Sequence, residues 1–150
     1  MKEVSLRSCD SYEYEEVKIQ VEKLLHDLGG IEKYIKKNST VFIKLNLVAK
    51  KLPKEMATTH PMILKVIAEQ LLELGCKVIV GDSPGGPYTK ASLKGVYKTC
   101  GIEKLCEELS MELNYDISEV KVENPKGKIL KYMTVIKPIV EVDHVINICK

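Results

Sequence analysis

Lys44 and Asp82 are the charged side chains whose positions in the sequence most favour chemistry. Lys44, together with Asn46, interrupts the apolar run of residues 41–48, and Asp82 with Ser83 follows directly after the apolar run of residues 77–80. A lysine inside an apolar strand is costly to bury unless it pairs with an acid or reaches solvent. The pattern therefore predicts that Lys44 meets Asp82, and that a ligand would bind close to this pair.

A second group of polar residues stands where a helix is predicted to begin. Thr58, Thr59 and His60 immediately precede Pro61. Proline favours the first helical position, which places Thr59 or His60 as the cap. A helix N-terminus presents free N–H groups and a partial positive charge, so with Lys44 it could hold a phosphate or carboxylate. We therefore expect a site for an anionic small molecule or cofactor.

Roles can be assigned to these residues on that hypothesis. His60 and Asp82 are the catalytic candidates, because either could transfer a proton. The predicted ligand-binding residues are Lys44, Asn46, Thr58, Thr59, Ser83 and Gly85. His60 and Asp82 could also bind a metal ion, but the sequence offers no third ligand, and no metal site is predicted. The Gly85–Gly86 turn matches neither of the common glycine-rich phosphate-binding motifs.

Every one of these residues also has a purely structural interpretation. The two threonines could only cap the helix, and Asp82 with Ser83 could only form a turn. Asn46 could bond to the backbone of the following loop, and His60 could be an exposed residue at the helix entry. Even a buried pair between Lys44 and Asp82 could be structural.

The elements that position these side chains follow from the spacing of apolar residues. We predict strands at residues 4–8, 41–48, 77–80 and 139–149, and a hairpin whose turn is at residues 124–127. Helices are predicted to end at Gly29, Gly75 and Gly101, and a shorter one follows from residue 102. This alternation predicts an α/β fold, with three αβα layers, a mainly parallel sheet and a C-terminal β-hairpin region. Ligands of such sheets bind outside the carboxyl ends of the strands.

Composition limits the classes of protein to which the chain could belong. Its 150 residues fit one α/β domain over 1–150, and its 23 basic and 21 acidic residues give a net charge of +2. This balance gives no electrostatic reason to expect nucleic acid or an acidic membrane as a partner. The sequence contains neither a signal peptide nor an apolar run of ~20 residues, so we expect a cytoplasmic protein. The five cysteines include no CxxC pair, and we expect most of them to be buried.

Three motifs in order, K-x-N at Lys44, T-T-H-P at Thr58 and G-D-S-P-G at Gly81, resemble the family called domain of unknown function 362. The strand that begins at Val142 also resembles family positions. The chain departs from the pattern at Leu45, where family members commonly have proline. This departure leaves Lys44 and Asn46 in place, and the family has no settled activity to carry over.

The resemblance implies a redox context that the residues themselves do not show. Members are often described as iron–sulfur proteins with a C-terminal ferredoxin module holding 4Fe–4S clusters. Family sequences usually continue from the last strand into a motif bearing lysine and histidine. We therefore expect this chain to be an N-terminal fragment truncated at its C-terminal end, with no cofactor of its own.

Two functional hypotheses remain open on this evidence. The first is a ligand-binding or catalytic domain of a ferredoxin-linked redox protein that binds an anionic small molecule near Lys44. The second is a non-catalytic scaffold that docks a partner or a ferredoxin module, in cis or in trans. The sequence does not decide whether the protein is an enzyme.

Overall fold

The computed structural model of the protein describes residues 3–150. Four parallel strands form the main sheet: β1 (Thr40–Lys44), β2 (Lys77–Gly81), β3 (Glu112–Leu113) and β6 (His144–Asn147). Their order in the sheet is β3-β2-β1-β6. A separate antiparallel hairpin is formed by β4 (Glu119–Glu123) and β5 (Tyr132–Ile136). The predicted fold class, α/β with a mainly parallel sheet and a C-terminal hairpin, is confirmed.

Four helices flank the main sheet, and their ends follow local sequence signals. They are α1 (Tyr14–Asp27), α2 (Pro61–Glu73), α3 (Lys90–Thr99) and α4 (Ile102–Glu108). Helix α2 begins at Pro61 as predicted, and His60 is its cap. Thr89 caps α3 by accepting a hydrogen bond from the Ser92 backbone N–H at 3.2 Å.

The core lies where the strands β1 and β2 meet the helices α2, α3 and α4. Val41, Phe42 and Ile43 at the centre of β1 are fully buried. Leu64 of α2 and Leu93 of α3 are also fully buried and belong to the same apolar cluster as Val41. Strands β1 and β2 pair in parallel from Thr40 opposite Lys77 to Lys44 opposite Gly81. This register places Lys44 and the residue after Gly81, which is Asp82, at one edge of the sheet.

The predicted strand at residues 4–8 is wrong. This segment has no regular structure, and Val4 and Leu6 are 89% and 88% exposed. Alternation of apolar and polar residues gives a strand only where the segment pairs with a neighbour, and residues 4–8 pair with no strand among the described residues.

Two predicted strands are shorter in the structure. Strand β1 ends at Lys44. The Leu45 N–H still donates to the Gly81 carbonyl of β2 at 2.9 Å, but the N–H groups of Asn46 and Leu47 bond to the side chains of Thr59 and Asp82 instead of to a neighbouring strand. The last strand covers only residues 144–147, and a 3-10 helix at Lys137–Val140 precedes it. Pro138 lies in that turn, where its missing N–H costs nothing.

Candidate functional site

Lys44 and Asp82 form an ion pair at the carboxyl edge of the sheet. The Lys44 Nζ lies 2.7 Å from Asp82 Oδ1 and also donates to the Leu45 carbonyl at 2.8 Å. The Asp82 side chain is 4% exposed, whereas that of Lys44 is 34% exposed. The carboxylate is therefore buried behind the ammonium group, and Lys44 is the member of the pair that solvent reaches.

The second oxygen of Asp82 holds the chain that leaves β1. The Leu47 backbone N–H donates to Asp82 Oδ2 at 2.6 Å. Each carboxylate oxygen thus has a donor, which satisfies a charge that would otherwise be costly to bury. Asp82 fixes both the lysine and the direction of the loop that follows it.

Asn46 and Thr59 join the loop to the end of β6. The Thr59 hydroxyl accepts from the Asn46 N–H at 2.9 Å and donates to the Ile148 carbonyl at 2.9 Å. The Thr59 N–H also donates to the Asn46 carbonyl at 3.1 Å. The hydroxyl of Thr59 therefore ties three segments together and does not cap α2.

His60 occupies the N-terminus of α2 and is packed against a tyrosine. Its Nδ1 accepts from the Met62 N–H at 3.2 Å, and its ring stacks on Tyr12 with centroids 3.8 Å apart. Burial and then the positive charge of Lys150 lower the pKa of His60. His60 thus already accepts from one of the N–H groups at this helix end, and the predicted binding of an anion there stays a prediction.

A cleft of about 370 Å³ opens between the sheet edge and the hairpin. It is lined by Lys44, Ser83, Pro84, Tyr88, Glu119, Thr134, Val135, Ile136 and Ile139. The first four come from β1 and from the turn after β2, and the others come from the hairpin and the turn that follows it. The volume falls near the lower end for small-molecule sites, which typically span ~300–1,000 Å³.

The cleft brings together only some of the residues that the sequence singled out. Lys44 and Ser83 line it, and Asp82 is paired behind Lys44. The remaining predicted site residues are not among those that line it: Asn46, Thr58, Thr59, His60 and Gly85. Their roles in binding or catalysis stay predictions.

Two of these outlying residues have a clear structural setting. Thr58 is 2% exposed, and its hydroxyl finds no hydrogen-bond partner among residues 3–150. Gly85 is exposed, and a Cβ at this position would lie 3.5 Å from the Val48 carbonyl oxygen. The glycine turn therefore runs close beside the loop that follows β1.

The hairpin wall of the cleft was missed by sequence reasoning. Glu119 and Thr134 lie on β4 and β5, and no local signal places a hairpin over a particular sheet edge. Tyr88 was also missed, although it directly follows the Gly85-Gly86-Pro87 turn. Burial raises the pKa of Tyr88, and so do the carboxylates of Asp116, Asp82 and Glu119 in that order. Tyr88 therefore stays a neutral hydroxyl at the wall of the cleft.

The cysteines of the described residues do not suit an iron–sulfur cluster. Cys76, Cys100 and Cys106 are buried, and Cys9 and Cys149 are exposed. Burial raises the pKa of Cys100, and it raises that of Cys106 to about 12, which opposes the thiolate form that a cluster needs. Within residues 3–150 no group of three or more His, Cys, Asp or Glu side chains is arranged to hold a metal ion.

The comparison with known families identifies the chain. The profile of the family described as domain of unknown function, DUF362, matches residues 41–150, which include β1, the cleft and the hairpin. The chain therefore belongs to this family. The predicted resemblance is confirmed, and the match says nothing about activity.

One curated relative shares this similarity. The chain is 30% identical over 113 residues to a Synechocystis protein named thylakoid-associated protein sll1697. The aligned region covers 75% of this chain and 34% of that relative, so the chain spans about a third of the relative's length. No solved structure is significantly similar to the chain. No helix within residues 3–150 is both long and apolar enough to cross a membrane.

Proposed function

We propose that the protein binds a small molecule through an anionic group in the cleft between Lys44 and the hairpin. The observation that carries this proposal is an unused hydrogen-bond donor on the Lys44 ammonium group. It has three N–H donors, of which two are used by Asp82 and the Leu45 carbonyl. One donor is left on a side chain that lines the cleft and is partly open to solvent.

The rest of the cleft suits a small polar ligand. Ser83 and Thr134 bring hydroxyl groups, which can donate to the oxygens of a carboxylate or phosphate, whereas the Tyr88 hydroxyl already donates to the Asp116 carbonyl at 3.4 Å. Pro84 and Ile136 add apolar surface that would cover the body of the ligand. A mostly apolar wall with a few polar groups is the usual composition of such sites.

The geometry favours binding over proton transfer at this cleft. Both oxygens of Asp82 already accept hydrogen bonds and its side chain is buried, so a ligand in the cleft meets Lys44 and not Asp82. His60 has a free Nε2 among the described residues, but it does not line the cleft. We therefore propose a ligand-binding role for Lys44 and Ser83 and a positioning role for Asp82.

The wider proposal is that this domain belongs to a ferredoxin-linked redox protein. Its support is the family membership together with the iron–sulfur context that the resemblance implies. The described cysteines do not fit a cluster, so the 4Fe–4S centres would belong to a ferredoxin module, in cis or in trans. The proposal is tested by the absorbance and by the iron and sulfide content of the full-length gene product, purified without oxygen. Iron and sulfide in stoichiometric amounts support the proposal, and a colourless iron-free protein with no affinity for ferredoxin contradicts it.

Ligand binding can be tested by a thermal-shift screen of phosphates, nucleotides and carboxylates. The variant that removes the charge is K44M combined with D82N, because the double change leaves no unpaired charge in the site. The matched control is Lys98→Met, which removes an exposed lysine of α3. We expect a ligand that stabilises the wild type and Lys98→Met to have no effect on the double variant. Equal stabilisation of all three proteins would contradict a site at Lys44.

A second candidate function is a non-catalytic scaffold. It is favoured by the complete internal pairing of Asp82, which a purely structural site would also show. This candidate predicts that no compound in the screen binds saturably, while variants of Asp82 lose stability. The screen therefore separates the two functions.

A further inference from the structure

The charges around the cleft are not those of a simple anion site. The charge of Lys44 is already balanced by Asp82 at 2.7 Å. Glu119 is exposed at the start of β4 and lines the opposite wall, and its side chain forms no ion pair or hydrogen bond with another of the described residues. With the buried Asp82 counted behind Lys44, the cleft has one positive and two negative side chains, which disfavours a ligand that is only anionic.

Lys44 and Glu119 face the same cleft without meeting. The structure pairs Lys44 with Asp82 and places no Glu119 oxygen within 4.0 Å of the ammonium group. A free N–H donor thus remains on one wall and an unengaged carboxylate on the other, with space between them.

We propose that the ligand of this cleft is zwitterionic, with a carboxylate and an ammonium group, as an amino acid is. Its carboxylate accepts from the Lys44 ammonium and from the Ser83 hydroxyl, and its ammonium group pairs with Glu119. The inference rests on the proposed function, since it assigns a ligand class to the same cleft. Pairing the two ends of the ligand with opposite walls leaves its side chain beside the apolar residues Val135, Ile136 and Ile139.

Ligands that carry only one of the two charged groups fit less well. An anion without an amine would leave Glu119 unpaired beside it and add a second negative charge to the cleft. An amine without an anion would leave the third Lys44 donor unused. Only a ligand with both groups satisfies both walls.

Calorimetric titration with matched pairs of probes tests the inference. Each pair holds an amino acid and its deaminated acid, such as glutamate with glutarate and phenylalanine with phenylpropionate. We expect at least one amino acid to bind about fivefold more tightly than its deaminated partner, which is the gain from one partly exposed ion pair. The Glu119→Gln variant should lose this preference while still binding the deaminated acid. Glu123→Gln, an exposed change on the same strand outside the cleft lining, should keep it.

The other outcomes are distinguishable. Equal binding of the amino acid and its deaminated acid by the wild type overturns the proposal of a zwitterionic ligand and leaves the anion site standing. A preference that survives in Glu119→Gln overturns the assignment of the ammonium to Glu119. Failure of every probe in all pairs to bind at millimolar concentration overturns both this inference and the proposed function.

Discussion

At the scale of single residues, Asp82 organises the carboxyl edge of the sheet. One oxygen accepts from Lys44 and the other from the Leu47 N–H, so the buried carboxylate holds a side chain and a backbone turn together. The pairing with Lys44 could be predicted, because a lysine in an apolar strand needs a partner. The bond to Leu47 could not, because it depends on where the chain turns after β1.

Replacing Asp82 with alanine is expected to destabilise the protein by about 1–3 kcal/mol. The change leaves the buried Leu47 N–H without an acceptor and removes the partner of Lys44. Urea denaturation measures the loss, with Glu123→Gln as a surface control that should change the unfolding free energy by less than about 0.5 kcal/mol. An Asp82→Ala protein as stable as the control would contradict the structural role of the pair.

His60 makes the stability of the fold depend on pH. Its pKa in the folded state is lowered, by burial first and then by Lys150. The unfolded state therefore takes up the proton first as pH falls, and the contribution of His60 is present above about pH 6.5 and is lost below it. Protonation of Nδ1 also removes the acceptor for the Met62 N–H.

The expected result is a steeper loss of stability in the wild type than in His60→Asn between about pH 7.5 and 5.5. Asparagine is a good helix cap, so α2 keeps its N-terminal bond without a titrating ring. Urea unfolding of the two proteins at several pH values measures the difference. Parallel pH profiles would show that His60 titrates alike in the folded and unfolded states.

At the scale of elements, the strands and helices around the site were the most predictable part of the fold. Pro61 and His60 mark the start of α2, and Gly75 marks its end, because these residues act through local geometry. The segment at residues 4–8 shows the limit of such reasoning. Its alternation is typical of a strand, but pairing requires a neighbour that the local sequence does not specify.

The hairpin is the least anchored element near the cleft. It pairs only within itself, from Glu119 opposite Ile136 to Glu123 opposite Tyr132, and two-stranded hairpins are marginally stable alone. Strand β1, by contrast, has a parallel neighbour on each side and a fully buried centre. We therefore expect the hairpin to open more readily than the β1 wall of the cleft.

Hydrogen exchange followed by mass spectrometry should reveal this difference. We expect the amides of β4 and β5 to exchange at least about tenfold faster than those of β1, because local opening costs less where burial is small. A bound ligand should slow exchange in the hairpin and leave β1 unchanged. Equal protection of both elements without ligand would contradict a mobile wall.

At the scale of the whole molecule, the candidate site is made from distant parts of the chain. Lys44 comes from β1 and Ser83 from the turn after β2, whereas Glu119, Thr134 and Ile139 come from the hairpin region. Sequence reasoning found the first wall, since parallel strands bring their carboxyl ends to one edge. It could not find the second, because the docking of a hairpin on a sheet depends on the packing of the entire fold.

The sequence placed His60 in one site with Lys44, but His60 does not line the cleft, because of how distant parts of the chain pack. The helix α2 begins at the correct edge of the sheet, but His60 stacks on Tyr12 from the N-terminal segment. Lys150 adds a further contact, with its Nζ 3.2 Å from the Tyr12 hydroxyl. Tyr12 and Lys150, which are far apart in the sequence, thus meet near His60, and no local motif predicts this arrangement.

The central claim is that the cleft between Lys44 and the hairpin is the ligand site, and amide NMR of the labelled protein tests it most directly. Titration with a compound that stabilises the protein should shift the resonances of Lys44, Ser83, Tyr88, Glu119 and Thr134 saturably and together. Resonances of Thr58 and His60 should move little, because these residues do not line the cleft. Saturable shifts centred on His60 and Tyr12, with those of the cleft residues unchanged, would contradict the account.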